Sequence, residues 1–476
     1  MKRILTLLIL LILPLTTITA QSDDDLFGGS DDALFGADDD FFGDDSIDEV
    51  PDVVAKSDLS KGVIFDSGSV KVGGSLSAGL STNTVLYSEE ENDFADNLKH
   101  TTLTPDLSAM LSVDARPTET LRLYTKFGFA YPFEDKTSIE YQLNQNNGAE
   151  PKVTVADWFK LKELFTDFSV NDTAYFRFGI HTVTWGAGYF FSPVSDMINS
   201  TSIDPEHPEK QVDGALNLRT QIIIPDSQNC LWFYVIPSTN FKNQTAETYA
   251  RDTALAGKAD ILIGNWELGV GGLYKYDSAL KAMLTATGSL KKISFFGEFV
   301  YSYGAASEWA KNTDWDDKTN IFQATAGFTY YWKEQKINLA AQYLFEGNDK
   351  DLEKKITQYG HNVALMASKG ELFKNPDLSL SLFAMANIGR KEATTADIIE
   401  KYPEAAMFAV AAPAQLEEMA KQASTAMPAL TANLTLNYKP FKDMSFGAGP
   451  SITFKDFETK PTVSMKLTAT LGGGKF

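Results

Sequence analysis

Five basic side chains stand at alternate positions on three segments that follow one another along the chain: Arg122 and Lys126, then Arg177 and His181, then Arg219. The stretch 187–213, between the second and third segments, carries Asp196, Asp204, Glu206 and Glu209. If that stretch folds against the basic groups, acids face bases across a narrow gap. Such a gap creates a transverse field that polar solutes cross and apolar ones resist. A plainer arrangement pairs the arginines with nearby acids such as Glu163 and Asp167. The spacing is compatible with both.

Other chemistries find no support. The chain has no Gly-x-Ser-x-Gly elbow, no His-Glu-x-x-His pair and no phosphate loop, and Gly474-Lys475 lacks both the upstream spacing and the following Ser or Thr. Cys230 is the only cysteine, and His100, His181, His207 and His361 are scattered, which excludes a disulfide framework and a four-ligand zinc site. Neither a cofactor nor enzymatic activity is expected. A net charge of −21 argues against nucleic-acid binding, which needs a basic surface.

The elements that must position these groups are strands. Leu121, Leu123, Phe127 and Phe129 alternate with Thr120, Arg122, Tyr124 and Lys126; Phe176, Phe178 and Ile180 alternate with Tyr175, Arg177 and His181. The same period of two returns at 216–224, 322–329, 430–437 and 463–471, with one face mainly apolar each time. Many runs reach ten residues or more, longer than the usual strand of a soluble sandwich and long enough to cross a bilayer at a tilt.

Strands are expected near 69–88, 101–115, 118–132, 152–170, 173–186, 214–225, 228–239, 252–263, 266–277, 279–289, 291–306, 319–333, 335–347, 359–369, 377–389, 428–438, 443–454 and 461–475. Even-numbered connections, such as Arg116-Pro117, Asn171-Asp172 and Gly264-Asn265, are short, whereas most odd-numbered ones are long, 187–213 and 390–427 above all. That rhythm predicts an all-β, transmembrane antiparallel β-barrel of about 18 strands (16 to 18), with short periplasmic turns and long extracellular loops. Leu231–Val235 and Val363–Ala367 alternate poorly. Within 390–427, Pro403 to Ala411 and Pro413 to Ala423 each read as a helix that begins on proline. Trp and Tyr near strand ends, including Tyr189, Trp232, Trp266, Tyr330, Tyr331 and Trp332, fit interfacial girdles.

The N-terminus carries addressing features. Lys2 and Arg3, the apolar run Ile4 to Leu15 and the polar stretch to Ala20 read as a signal peptide over 1–20. The run is shorter than the roughly 20 apolar residues a spanning helix needs. From Gln21 to Leu59 there are 14 Asp and Glu against one Lys. Three repeats there present Leu26-Phe27, Leu34-Phe35 and Phe41-Phe42, each behind aspartates and ahead of glycine. The composition predicts a disordered acidic periplasmic tail over 21–68, with the barrel at 69–476. Either the tail is a solvated spacer or its apolar pairs anchor a periplasmic partner with avidity.

Arg177-Phe178-Gly179, the run Trp185-Gly186-Ala187-Gly188-Tyr189-Phe190-Phe191-Ser192-Pro193, then Asp196, Ile198 and Asn199, and finally Gly214 and Arg219 resemble a signature of porin-like bacterial outer-membrane barrel families. In them an Arg-x-Gly strand runs into a Trp-Gly turn and a Phe-x-Pro loop. Here Ser195 lengthens the interval from Pro193 to Asp196 by one residue. The terminal Phe476 also resembles the aromatic that the barrel assembly machinery recognises. The resemblance and the lumen-facing charges together imply an outer-membrane channel for small hydrophilic solutes in a diderm bacterium, with membrane lipid as its surroundings. Two alternatives stand beside it: a transporter of hydrophobic compounds with a plugged lumen, and a surface-display or adhesin barrel. Homo-oligomerisation is left open.

Overall fold

The computed structural model describes residues 63–66, 68–88, 98, 101–131, 159–171, 173–208, 212–239, 245–310, 313–350, 359–389, 393–401, 403–425, 428–441, 444–457 and 460–475. The signal segment, the three tail repeats with Leu26, Phe27, Leu34, Phe35, Phe41 and Phe42, as well as Glu209 and Phe476, lie outside the described residues.

Eighteen antiparallel strands form one closed ring: β2 (Val70–Tyr87), β3 (Thr102–Thr118), β4 (Leu121–Tyr131), β5 (Phe159–Val170), β6 (Ala174–His181), β7 (Ala215–Ile223), β8 (Cys230–Ile236), β9 (Ala254–Ile263), β10 (Trp266–Tyr274), β11 (Leu280–Leu290), β12 (Ile293–Tyr303), β13 (Asn320–Trp332), β14 (Ile337–Glu346), β15 (Gly360–Lys369), β16 (Leu378–Ile388), β17 (Leu430–Phe441), β18 (Met444–Phe454) and β19 (Thr462–Lys475). Each pairs with the next, and β19 returns to β2 through pairs from Val463↔Tyr87 to Lys475↔Ser75. Among the described residues, closure gives each strand a hydrogen-bonded neighbour on both sides over most of its length. A further short strand, β1 (Val63–Asp66), pairs with Lys71, Val72 and Gly73 of β2, so part of the segment expected to be disordered tail is a strand.

The alternation explains the ring. On β9, Ala254, Ala256, Lys258 and Asp260 are buried inside while Leu255 and Ile261 are exposed outside. On β12, Phe296, Glu298, Val300 and Ser302 are buried. The exposed apolar residues of the other strands, among them Leu164, Phe178, Val270, Leu284, Phe322, Val363, Leu434 and Leu467, form the outer surface. Tight turns at one end use left-handed backbone at Asn171, Asp226, Gly264, Lys291 and Lys336, which reverses a strand within a few residues.

β6 ends at His181 and does not run on to 186. From Thr182 the chain leaves the wall and enters the lumen, where two apolar clusters form. One joins Val183, Trp185, Val194 and Ile198 to Tyr234, Ala256, Leu273, Met283 and Val300 of the wall. The other joins Tyr189, Phe190 and Phe191 to Phe296, Ala340, Leu344 and Ala364. Their wall partners on β8 and β15 give these strands apolar residues on both faces, which is why neither alternates cleanly in sequence.

The connection between β16 and β17 is helical. It holds α1 (Thr395–Lys401), a 3-10 turn (Pro403–Met407) running into α2 (Phe408–Ala411), and α3 (Pro413–Thr425). The two proline-led helices are where the sequence expects them; α1 is additional. Ile398, Ala405, Phe408, Leu416, Met419 and Ala420 form a core of their own.

Candidate functional site: the inward segment and the charged wall

Two glycines let residues 182–214 pass from wall to lumen and back. A Cβ on Gly186 would lie 2.0 Å from Glu298 Oε1, and one on Gly214 would lie 1.9 Å from the His181 carbonyl oxygen. At Gly214 a side chain would meet backbone and does not fit, whereas at Gly186 it would push aside the Glu298 carboxylate.

Once inside, the segment is tied by side chains that replace its missing sheet partners. Within it, Asn199 Oδ1 accepts from Val183 N at 2.8 Å while Asn199 Nδ2 donates to Val183 O at 2.8 Å. Ser195 Oγ accepts from the backbone of Trp185 and Gly186 at 3.2 and 3.0 Å. From the wall, Glu298 of β12 accepts from Gly188 N at 2.8 Å, Val194 N at 3.0 Å and Ser192 Oγ at 3.0 Å. Gln342 of β14 accepts from Phe190 N at 2.6 Å and donates to Phe191 O at 2.6 Å. Lys258 of β9 donates to Trp185 O at 2.8 Å. A buried backbone away from a sheet needs such partners for each N–H and C=O, and these polar side chains supply them.

Farther along, Asp213 pairs with Lys162 of β5 at 2.5 Å. Glu206 accepts from Asn433 Nδ2 of β17 at 2.7 Å and from Lys466 Nζ of β19 at 3.2 Å. One connection thus touches β5, β9, β12, β14, β17 and β19, and crosses the lumen.

The basic residues face the lumen and are largely occupied by neighbours. Arg122 donates to both carboxylate oxygens of Asp114 at 3.1 Å, and its other nitrogen lies 3.7 Å from Asp167. Arg177 grips Asp167 at 2.7 and 3.1 Å and lies 4.1 Å from the Phe165 ring centre. These are two-pronged guanidinium–carboxylate contacts. Lys126 is buried in register with Glu163. Arg219 is buried over Trp232 at 5.5 Å, and His181 is fully buried with its ring edge toward Phe165.

The expected acids of the segment divide. Asp196 sits in a 3-10 turn, Ser195–Met197, its N–H donating to Ser192 O. Asp204 caps a turn by accepting from Glu206 N at 3.1 Å. Glu206 meets Lys466 and Asn433, on strands other than those of the basic wall. Glu298, Gln342, Lys258 and Asn433 escape a sequence reading that looks for clustered charge. Each stands at lumen parity on its strand, as Glu298 does in Phe295-Phe296-Gly297-Glu298-Phe299-Val300, but parity alone does not say which polar lumen residue meets the crossing segment.

No family model matches the chain, and no curated protein matches it. Among solved structures, a BenF-like porin from Pseudomonas fluorescens Pf-5 is similar at 8% identity and a TM-score of 0.47, over 84% of this chain and 97% of that one. OccK9 (OpdG) of Pseudomonas aeruginosa is similar at 9% identity and a TM-score of 0.46, over 84% and 98%. A triple mutant of the Rhodopseudomonas blastica porin follows at 9% identity and a TM-score of 0.38, over 84% and 99%. The assignment of an all-β closed barrel rests on the hydrogen-bonded ring itself.

Proposed function

We propose that the chain is an outer-membrane, porin-like channel for diffusion of small hydrophilic solutes, with 182–213 as its constriction. The observation that carries this reading is a closed ring of eighteen strands, apolar outside, crossed inside by a segment tied to opposite walls. Strands of about ten residues tilted across the hydrocarbon match its thickness, and eighteen strands enclose an aqueous interior. Arg122 and Arg177 then line one side of the passage with Lys126, His181 and Arg219 buried beside them, and Asp204 and Glu206 lie on the crossing segment itself. On this reading the turn end faces the periplasm, the long connections face outward, residues 1–20 direct export and the acidic residues 21–62 precede the barrel.

The test is conductance in a planar bilayer. The refolded chain without residues 1–20 is expected to give stable ohmic steps. A verified folded barrel that gives none would leave display of the 390–427 excursion as the better reading.

A further inference from the structure

Beside the crossing segment lies a cavity of about 190 Å³, lined by Trp185, Trp232, Tyr234, Lys258, Asp260, Glu267, Thr285 and Thr287 among others. A cavity of roughly 150 Å³ holds benzene, so this one has room for a single substituted ring. Its apolar wall is aromatic: Trp185 meets Tyr234 edge to face at 4.8 Å, with Trp232 beside them.

The charges of the lining decide what it takes. Lys258 Nζ lies 2.9 Å from Asp260 Oδ1 and donates to Trp185 O, so this ammonium is already compensated and anchored. Asp260 Oδ2 accepts from Trp232 Nε1 at 2.7 Å, which fixes the indole. Glu267 is exposed and has no hydrogen bond or ion pair among the described residues, leaving one negative charge on the lining uncompensated. An anionic solute would meet two carboxylates and a lysine whose charge is spoken for. A solute that presents an ammonium finds an acceptor in Glu267 and hydroxyls in Thr285 and Thr287, while the aromatic side chains supply the apolar wall for its body.

We infer that this cavity is a binding subsite for small organic monocations, a primary ammonium on a compact apolar body, with Glu267 as the charge-recognising residue. The inference deepens the channel reading by naming a solute class, and its test does not depend on conduction.

The full chain without residues 1–20, folded in detergent, is titrated calorimetrically with 2-phenylethylammonium, 2-phenylethanol and phenylacetate. The ammonium is expected to bind about tenfold or more tightly than either, and E267Q to weaken it by about tenfold, the loss that one charge-assisted hydrogen bond implies. T287V, a near-isosteric change at a second lining position, should weaken it without abolishing it, and the heat-modifiable mobility of each variant reports that the barrel is folded. Equal affinities for the three probes, or unchanged affinity in folded E267Q, overturn the inference. A folded chain that binds the ammonium through Glu267 but does not conduct sinks the channel reading and leaves the subsite standing; a conducting chain without the preference does the reverse.

Discussion

At the scale of single residues, the crossing segment depends on Glu298. Its side chain, buried in the lumen, holds two backbone N–H groups and the Ser192 hydroxyl. Glu298→Ala leaves those donors unsatisfied, at a cost on the order of 3 kcal/mol. The expected result is a barrel that still folds, with a released segment, faster proteolysis within 187–213 and larger single-channel conductance; Glu298→Gln, which keeps an acceptor, should fall between. Unchanged conductance and proteolysis in Glu298→Ala would show that the apolar clusters and the remaining ties from Gln342 and Lys258 hold the segment without it. A second carboxylate, Glu308, ties the connection between β12 and β13. Burial pushes this carboxyl up from its ordinary value of 4.5, but hydrogen bonds from Lys350, the backbone N–H groups of Thr319 and Ala305, and the Thr319 hydroxyl outweigh it and hold it down to about 2. Because the folded value is depressed, its stabilisation is complete above the ordinary value and is lost as pH falls toward about 2. Hydrogen-exchange protection of the Ala305 and Thr319 amides is expected to drop across that window, and to be low and insensitive to pH over the same window in Glu308→Gln.

At the scale of elements, the helical excursion after β16 packs on itself, with Ile398, Phe408, Leu416 and Met419 as its centre. Replacing 393–427 by a short turn is expected to leave the barrel folded, judged by heat-modifiable mobility, with its conductance within about twofold; loss of the fold would mean that the excursion helps close β16 on β17. What the sequence discloses about these elements follows from where each meets a boundary. Strands with an apolar outer face and a polar lumen face alternate, so most of the eighteen are legible in the sequence and the expected count of 16 to 18 includes the one found. β8 and β15 blur because their inner faces touch the crossing segment, a tertiary fact that no local window contains. β6 was expected to be too long because Val183 and Trp185 are as apolar as strand residues, although they are buried in the lumen cluster. Helix α1 carries a sequence signal of its own: Thr394 and Asp397 form a reciprocal cap, the side chain of each accepting from the backbone N–H of the other, a Thr-x-x-acid pattern that precedes Ile398. The five basic residues are legible at one parity, and pairing of the arginines with Asp167 is one of the two arrangements their spacing allows; the contact of Arg122 with Asp114 depends on cross-strand register, which period-two alternation alone leaves open.

For the whole molecule, the weak place in a closed ring is where its ends meet. Pairing of β19 with β2 shifts register between Leu471 and Gly474 and stops at Lys475↔Ser75, whereas β2 begins at Val70. β1 covers Lys71, Val72 and Gly73 of that uncovered stretch, so it continues the seam where β19 has run out. This divides the N-terminal region into two parts with different physical roles, and two truncations separate them. Removing 21–58 takes away all three acidic repeats and leaves β1; removing 21–68 takes both. If the seam needs its cover, the shorter deletion leaves thermal unfolding unchanged, while the longer one lowers the unfolding midpoint and raises hydrogen exchange at Lys71 and Gly73, whose backbone groups then face solvent. Conductance is expected to be the same in both truncations and in the chain that retains residues 21–68 if, as proposed, the crossing segment sets the width of the passage. Conductance that appears only after truncation would make the acidic region a plug and move the assignment to a gated transporter. Equal unfolding midpoints in the two truncations would mean that β19 and β2 close the ring without help.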